Sequence, residues 1–233
     1  MVFFIPLCYS KNMNRRNYQR ELERIIARQG EGKPSLLLHC CCAPCASSVL
    51  EYLTKHFKIT IHWYNPNIYP LSEYERRFDA LRELLEKMGL SDQVDIIKED
   101  WRHEEYLSCA VGLENEPEGG LRCPECFRVR LKETARLCSE RGFDWYCSSL
   151  TLSRHKDAVL INAIGEELAK AEGCRWLPSD FKKKNGENRS IELCEEHGIY
   201  RQLYCGCEFS LHRRVEVGKT MGQSASESTG GVL

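Results

Sequence analysis

The apolar run Leu36-Leu37-Leu38 passes without a break into His39-Cys40-Cys41-Cys42-Ala43-Pro44-Cys45, and a helical pattern follows from about Ala46 to His56. That order predicts a buried strand, a loop and a helix, with cysteines concentrated in the turn between them. A second strand is expected over Ile59 to Tyr64, ended by Asn65-Pro66-Asn67-Ile68-Tyr69-Pro70, whose Asn and Pro content stops regular structure. A third is expected over Val94 to Ile97, after a helix from Ser72 to Met88 with Ser72 as its N-cap and Glu75 at the capping-box position. Alternation of this kind predicts an α/β fold, a parallel sheet with helices on its faces. Ligands gather at the carboxyl ends of the strands in such sheets, where both the cysteine run and the Asn-Pro-Asn loop fall.

Flanking this unit, Asn17 to Gln29 has the apolar spacing of a short amphipathic helix. Asp100 to Leu121 reads as polar and irregular, Glu125 to Arg141 as helix, Asp144 to Leu150 as strand and His155 to Glu172 as helix. Trp176 to Arg189 reads as loop and Ser190 to His197 as a short helix. We expect one α/β catalytic domain over residues 1–215 and a disordered tail over residues 216–233, where Gly, Ser and Thr dominate.

The 33 basic and 34 acidic residues leave a formal charge of -1, so a polyanion such as nucleic acid must meet a local patch rather than a generally basic surface. No apolar run approaches the roughly 20 residues that cross a bilayer, and the start lacks the pattern of a secretory signal. A cytoplasmic location is expected. Fourteen cysteines are then anomalous, because a disulfide framework does not persist where the thiol pool is reduced. Metal or redox chemistry is the leading account. Cys8, Cys109, Cys138, Cys147, Cys174 and Cys194 stand alone and read as small apolar residues.

The others are grouped. Cys123-Pro124-Glu125-Cys126 has C-x-x-C spacing where a helix begins, and free N–H groups there favour thiolate charge. Zinc knuckles and thioredoxin-like motifs share that spacing. Adjacent Cys41-Cys42 is poor spacing for a structural zinc site, which more naturally uses two knuckles with short gaps. Two close pairs can together supply the four thiolates of an iron–sulfur cubane. In Cys205-Gly206-Cys207 one glycine removes the Cβ obstacle to a strained bridge, which suits a pair cycling between dithiol and disulfide. The same two thiols could instead complete a metal site.

Four motifs in order, His39-Cys40-Cys41-Cys42-Ala43-Pro44-Cys45, Tyr64-Asn65-Pro66-Asn67-Ile68, Arg122-Cys123-Pro124-Glu125-Cys126-Phe127-Arg128 and Tyr200-Arg201-Gln202-Leu203-Tyr204-Cys205-Gly206-Cys207-Glu208-Phe209-Ser210, resemble the QueH family of epoxyqueuosine reductases. These are cobalamin-independent enzymes of the last step of queuosine synthesis in tRNA. The resemblance covers nearly the whole expected domain and implies a Rossmann-like, HUP/PP-loop-like three-layer sandwich with cysteine-bearing helical and loop elements. It implies that Cys41, Cys42, Cys123 and Cys126 bind a [4Fe-4S] cluster and that Cys205 and Cys207 form a redox-active disulfide. The family position matched by Cys45 can be Asp, and an additional iron beside the cluster makes Cys45 a candidate ligand. The implied reaction removes the epoxide oxygen of epoxyqueuosine at the tRNA wobble position, with electrons from an unidentified donor.

For the RNA partner, Asn65 and Asn67 are candidates for polar contacts to the modified base. Lys182, Lys183 and Lys184, with Arg128, Arg130 and Arg213-Arg214, are candidates for phosphates. Tyr69, Trp101 and Tyr106 are candidates for base stacking, with core packing the alternative for each. His39 and His155 are proton-donor candidates whose alternative is a hydrogen-bonded structural histidine. Two rival readings are an ATP-using PP-loop enzyme, whose glycine- and serine-rich phosphate cradle is replaced here by cysteines, and a non-catalytic zinc module that binds RNA.

Overall fold

Four parallel strands in the order β3-β2-β1-β4 form the centre of the molecule in a computed structural model that describes residues 16–30 and 32–212. They are β1 (Ser35–His39), β2 (Lys58–Trp63), β3 (Asp95–Lys98) and β4 (Trp145–Ser148). Leu36, Leu37 and Leu38 are fully buried because β1 is covered on both faces and paired on both edges, with Leu38 opposite Ile61 of β2 and Cys147 of β4. A near-continuous apolar run is what such a central parallel strand requires.

The helices that end within the described residues are α1 (Tyr18–Ala27), α2 (Ala43–Leu53), α3 (Leu71–Lys87), α4 (His103–Ala110), α5 (Arg122–Arg141), α6 (Ala158–Glu172) and α7 (Gly186–Glu196). The crossovers from β1 to β2 and from β2 to β3 run one way along the sheet and that from β3 to β4 runs the other. Right-handed crossovers therefore put α2 and α3 on one face and α5 on the opposite face. The packing agrees, with α7 and α3 against α2, and with α4 and α6 against α5. The chain thus has the expected α/β architecture, helices flanking an all-parallel sheet. The main core runs from Leu22 of α1 to Ile199 beyond α7. The free side of β4 is covered by residues 175–177, where Tyr146 N–H donates to the Arg175 carbonyl at 2.9 Å and Leu177 N–H to the Tyr146 carbonyl at 2.8 Å.

Because strand order reverses between β2 and β4, the carboxyl end of β1 is the topological switch point, the place where neighbouring loops part and leave a crevice. The cysteine run leaves β1 there, and β4 ends there in a 3-10 turn over Ser149–Leu152.

Several boundaries differ from the sequence expectation. The stretch read as irregular from Asp100 contains α4, held by burial of His103, Tyr106 and Ala110 rather than by a long apolar stripe. Ser72 is not an N-cap: α3 starts one residue earlier, Pro70 takes the cap position without a side-chain bond, and Glu75 instead pairs with Lys98 at 2.6 Å. Helix α6 starts at Ala158, capped by Asp157 Oδ1, which accepts from Val159 N–H at 2.8 Å, so His155 and Lys156 lie in the preceding loop. Helix α7 begins four residues before Ser190, and α2 and α5 each begin three residues earlier than expected. The last two shifts decide the site. Arg213-Arg214, Cys8 and the expected tail from residue 216 lie outside the described residues.

Candidate metal and redox centre

The early start of α2 turns Cys42 into its N-cap and places Cys45 in its first turn. Residues three apart in a first turn share a face, and Cys41 immediately precedes the cap. As a result the sulfurs of Cys41, Cys42 and Cys45 lie within 4.8 Å of one another, with Cys41 Sγ and Cys42 Sγ 3.9 Å apart. This group can hold a metal ion. Cys41 and Cys42 are buried and Cys45 half-buried. Hydrogen bonding among the thiols of Cys41, Cys42 and Cys45 holds the Cys41 pKa well below the ordinary thiol value, helped by Lys156 and Arg130, while the same sharing pushes the Cys42 thiol up to about 12. Three soft sulfurs sharing negative charge at a helix N-terminus are a donor set for iron or zinc rather than for a hard cation.

The early start of α5 does the same for the second pair. Cys123 and Cys126 sit within its first turn and a half, with Gly119 N–H donating to Cys123 Sγ at 3.2 Å. Cys126 is buried beside Cys207 and Tyr106, and burial raises its pKa. Two adjoining cavities join the groups. One of about 830 Å³ is lined by Cys41, Cys45 and Cys205, and one of about 290 Å³ by Cys123, Cys126, Cys205 and Cys207. Cys205 faces both.

The Cys205-Gly206-Cys207 segment is held from α3 and from the loop after β2. Arg77, only 1% exposed, donates to the Cys205 carbonyl at 3.1 Å and to the Tyr204 carbonyl at 3.2 Å, while its Nε donates to Glu73 Oε1 at 2.7 Å. Tyr69 N–H donates to the Gly206 carbonyl at 2.9 Å. Gly206 has φ +127°, and a Cβ there would sit 2.9 Å from Arg77 Nη1 and 3.2 Å from Ile68 Cγ1. Gly206→Ala is therefore expected to cost roughly 1–3 kcal/mol from the backbone alone. It should slow turnover more than any loss of folded protein explains, measured as specific activity normalised to the folded fraction by circular dichroism. Wild-type activity in a folded G206A protein would show that the spacing between the two thiols tolerates displacement.

Charge around the sulfurs is positive. Arg130 is buried, its Nε donates to the Cys126 carbonyl at 3.3 Å and its Nη1 reaches Asn65 Oδ1 at 3.5 Å. Burial opposes its charge, but the sulfurs of Cys126, Cys41, Cys205 and Cys123 raise its pKa. Lys156 is half-buried and lines both cavities; burial acts against its charge too, and Cys205, Cys41 and Cys45 outweigh that effect. Burial sets the Cys205 pKa at about 11, with Lys156 pulling it down. Gln202 Nε2 donates to Cys42 Sγ at 3.0 Å. None of Lys156, Arg77 and Gln202 stands out in sequence, since each is a single polar residue in a loop or on a helix face. The C-x-x-C spacing of Cys42 and Cys45, repeated at Cys123 and Cys126, is the legible signal for grouping Cys45 with the ligands.

The remaining candidates divide. Asn67 lines the smaller cavity, is 1% exposed, and neither of its amide atoms has a hydrogen-bond partner among the described residues. Asn65 is committed to structure through Nδ2, which donates to the Cys40 carbonyl at 2.8 Å. His39 bridges Ser148 Oγ at 2.8 Å and the Tyr64 carbonyl at 3.2 Å, and burial lowers its pKa to about 3, as for a structural histidine. His155 is exposed and lines both cavities. Trp101 stacks on His103 with centroids 5.0 Å apart, Tyr69 lies 5.3 Å from the same ring, and Tyr106 is buried, so all three aromatics pack within the protein. Lys182 donates to the Thr151 carbonyl at 3.1 Å, Lys184 pairs with Glu23 at 2.5 Å, and Lys183 is exposed; none of the three lines either cavity. Arg128 pairs with Glu167 at 2.7 Å. Cys138, Cys147 and Cys194 are core residues, and Cys109 and Cys174 pack against clusters.

Residues 36–213 match the family model described as Epoxyqueuosine reductase QueH. Among curated proteins the chain is 43% identical over 207 residues to Epoxyqueuosine reductase QueH of Staphylococcus epidermidis, covering 85% of this chain and 86% of that one. It is 42% identical over 198 residues to the protein of that name from Streptococcus pyogenes serotype M1, covering 83% and 78%. With that of Staphylococcus aureus it shares 38% over 223 residues, 93% of each chain. With three cysteine-bearing motifs and the Asn65–Ile68 loop converging on one switch-point crevice, and with a match of this extent, the chain belongs to the epoxyqueuosine reductase QueH family.

Proposed function

We propose that this protein reduces the epoxide of epoxyqueuosine at the wobble position of tRNA, giving queuosine. The observation that carries the reading is the position of Cys205, which faces the cavity of the Cys41/Cys42/Cys45 group and also the cavity of Cys123 and Cys126. Cys41, Cys42 and Cys45 form a group that can hold a metal ion, and in this reading Cys41 and Cys42, with Cys123 and Cys126 from the adjoining cavity, would hold a [4Fe-4S] cluster, leaving Cys45 as the spare sulfur for an additional iron. When bound, such groups supply one-electron transfer and a Lewis acid for oxygen.

What the chain's own residues contribute follows from the balance of the reaction. Two C–O bonds break, a C=C bond forms, and the oxygen leaves as water, which takes two electrons and two protons. Oxidation of Cys205 and Cys207 from dithiol to disulfide supplies both, and an external electron donor must then restore the dithiol. Arg77 and the Tyr69 N–H hold the pair at the cavity wall. Asn67, with both amide groups unsatisfied, offers hydrogen bonds to a polar substrate group. Lys156 keeps a positive charge beside the sulfurs, where oxygen would acquire negative charge.

The test is anaerobic purification with iron and sulfide analysis, followed by incubation with epoxyqueuosine-containing tRNA and a reductant and by nucleoside mass analysis. Iron and sulfide with loss of the mass of one oxygen atom from the nucleoside is the expected result. Zinc without sulfide, or an unchanged nucleoside under reductant, would overturn it.

A further inference from the structure

The larger cavity is walled by two segments, residues 153–156 after the 3-10 turn and residues 201–205, which end at Cys205. Arg154, His155 and Arg201 are exposed at its edge, and Leu203 is 76% exposed beside them. Four of the side chains that line it are cationic, Arg122, Arg154, Lys156 and Arg201, and two are acidic, Glu118 and Glu187. The excess of two positive charges contrasts with the -1 of the whole chain. Glu187 is engaged by Arg154 Nε at 2.6 Å and Glu118 accepts from Ser210 Oγ at 3.2 Å. Arg122 is turned inward onto the Leu113 and Glu114 carbonyls at 2.8 and 2.9 Å.

We infer that the anticodon loop docks on this rim, with Arg154, His155 and Arg201 contacting the phosphates that flank the reacting nucleotide and Leu203 covering a neighbouring base. The inference rests on the proposed tRNA reaction and adds where the RNA sits. Cys205 forms part of the wall of this larger cavity, so a nucleoside that reaches it from this side brings its flanking phosphates within reach of the rim. A cavity of about 830 Å³ accommodates one nucleotide withdrawn from its stack. Guanidinium groups provide the planar donors that suit phosphate oxygens, and an exposed aliphatic side chain beside them offers an apolar surface to a base. None of Lys182, Lys183 and Lys184 lines either cavity, which favours the rim over the lysine run.

The experiment is fluorescence anisotropy of a labelled anticodon stem-loop RNA against a series of KCl concentrations. It uses the full chain, Arg154→Ala/Arg201→Ala, Lys183→Ala/Lys184→Ala, and Arg28→Ala/Lys33→Ala. The last pair lies at the opposite, amino-terminal edge of the sheet and removes the same charge. The rim variant should bind roughly tenfold more weakly at low salt, with a slope of log K on log salt shallower by about 1 to 2, while the opposite-edge variant keeps the wild-type slope. A wild-type slope in the rim variant, or equal losses in all three variants, overturns the docking assignment. Conversion of epoxyqueuosine by the wild-type chain, assayed in parallel, separates the two readings: conversion with an unaffected rim variant rejects the docking face alone. Absence of conversion with a rim-specific slope change rejects the reductase reading and leaves the RNA face standing.

Discussion

Cys205→Ser is expected to abolish reduction of epoxyqueuosine while leaving iron, sulfide and cluster absorbance at wild-type levels. Serine keeps the size of the side chain and its backbone bonds to Arg77, but it cannot form a disulfide, so the two electrons and two protons released on pairing with Cys207 are lost. Removing one member of a unit that acts together costs the activity of the whole unit, at least about 10³-fold in kcat. Cys207→Ser should have the same effect and the double variant no larger one, because the proposed reaction uses the two thiols as one couple. The measurement is multiple-turnover conversion with parallel metal analysis. Unimpaired turnover in either single variant would sink the dithiol role, and loss of iron in C205S would reassign Cys205 as a ligand.

Arg77→Ala is expected to destabilise the protein by about 3–5 kcal/mol, the usual cost of removing one partner from a buried ion pair. The side chain is nearly inaccessible, and it joins the Glu73 carboxylate to the Cys205 and Tyr204 carbonyls. Without it the Glu73 carboxylate retains, among the described residues, the Tyr200 hydroxyl at 3.1 Å, and the Cys205 and Tyr204 carbonyls lose a charged donor. The urea midpoint should fall with little change in m if the loss is one of stability alone. A shift under 0.5 kcal/mol would mean that the 204–207 segment is held by other contacts. Arg77→Lys retains the charge but cannot serve three acceptors from one planar group, so it should fall between wild type and alanine.

The placement of RNA contacts shows where reading residues in isolation stops. Tyr69 and Trp101 are aromatic and follow strands at the ligand edge, which is all a sequence shows. Their rings instead close on His103, whose Nδ1 is bonded to the Pro66 carbonyl at 2.7 Å, so they build the wall that holds the Asn65–Pro70 loop. Helix α4, which carries His103, escaped detection because eight residues offer too few turns for an apolar period. Lys156 was equally invisible. It becomes interesting only because β4 ends beside β1, bringing a loop more than a hundred residues away onto the cysteine run.

The amino-acid sequence by itself determined the α/β class, the strand that delivers the cysteines and the family, and it marked the pairs Cys41/Cys42, Cys123/Cys126 and Cys205/Cys207 as candidates. Periodicity, turn residues and short motifs are local properties, and they survive reading along one dimension. Only the tertiary structure decided that α2 and α5 begin early enough to put cysteines on their first turns, that Cys45 joins Cys41 and Cys42, and that Arg77, Arg130 and Lys156 surround them with positive charge. Helix starts depend on which backbone N–H groups the fold leaves unpaired, and side chains far apart in sequence converge through strand order and crossover hand. Those are consequences of packing, which no local window contains.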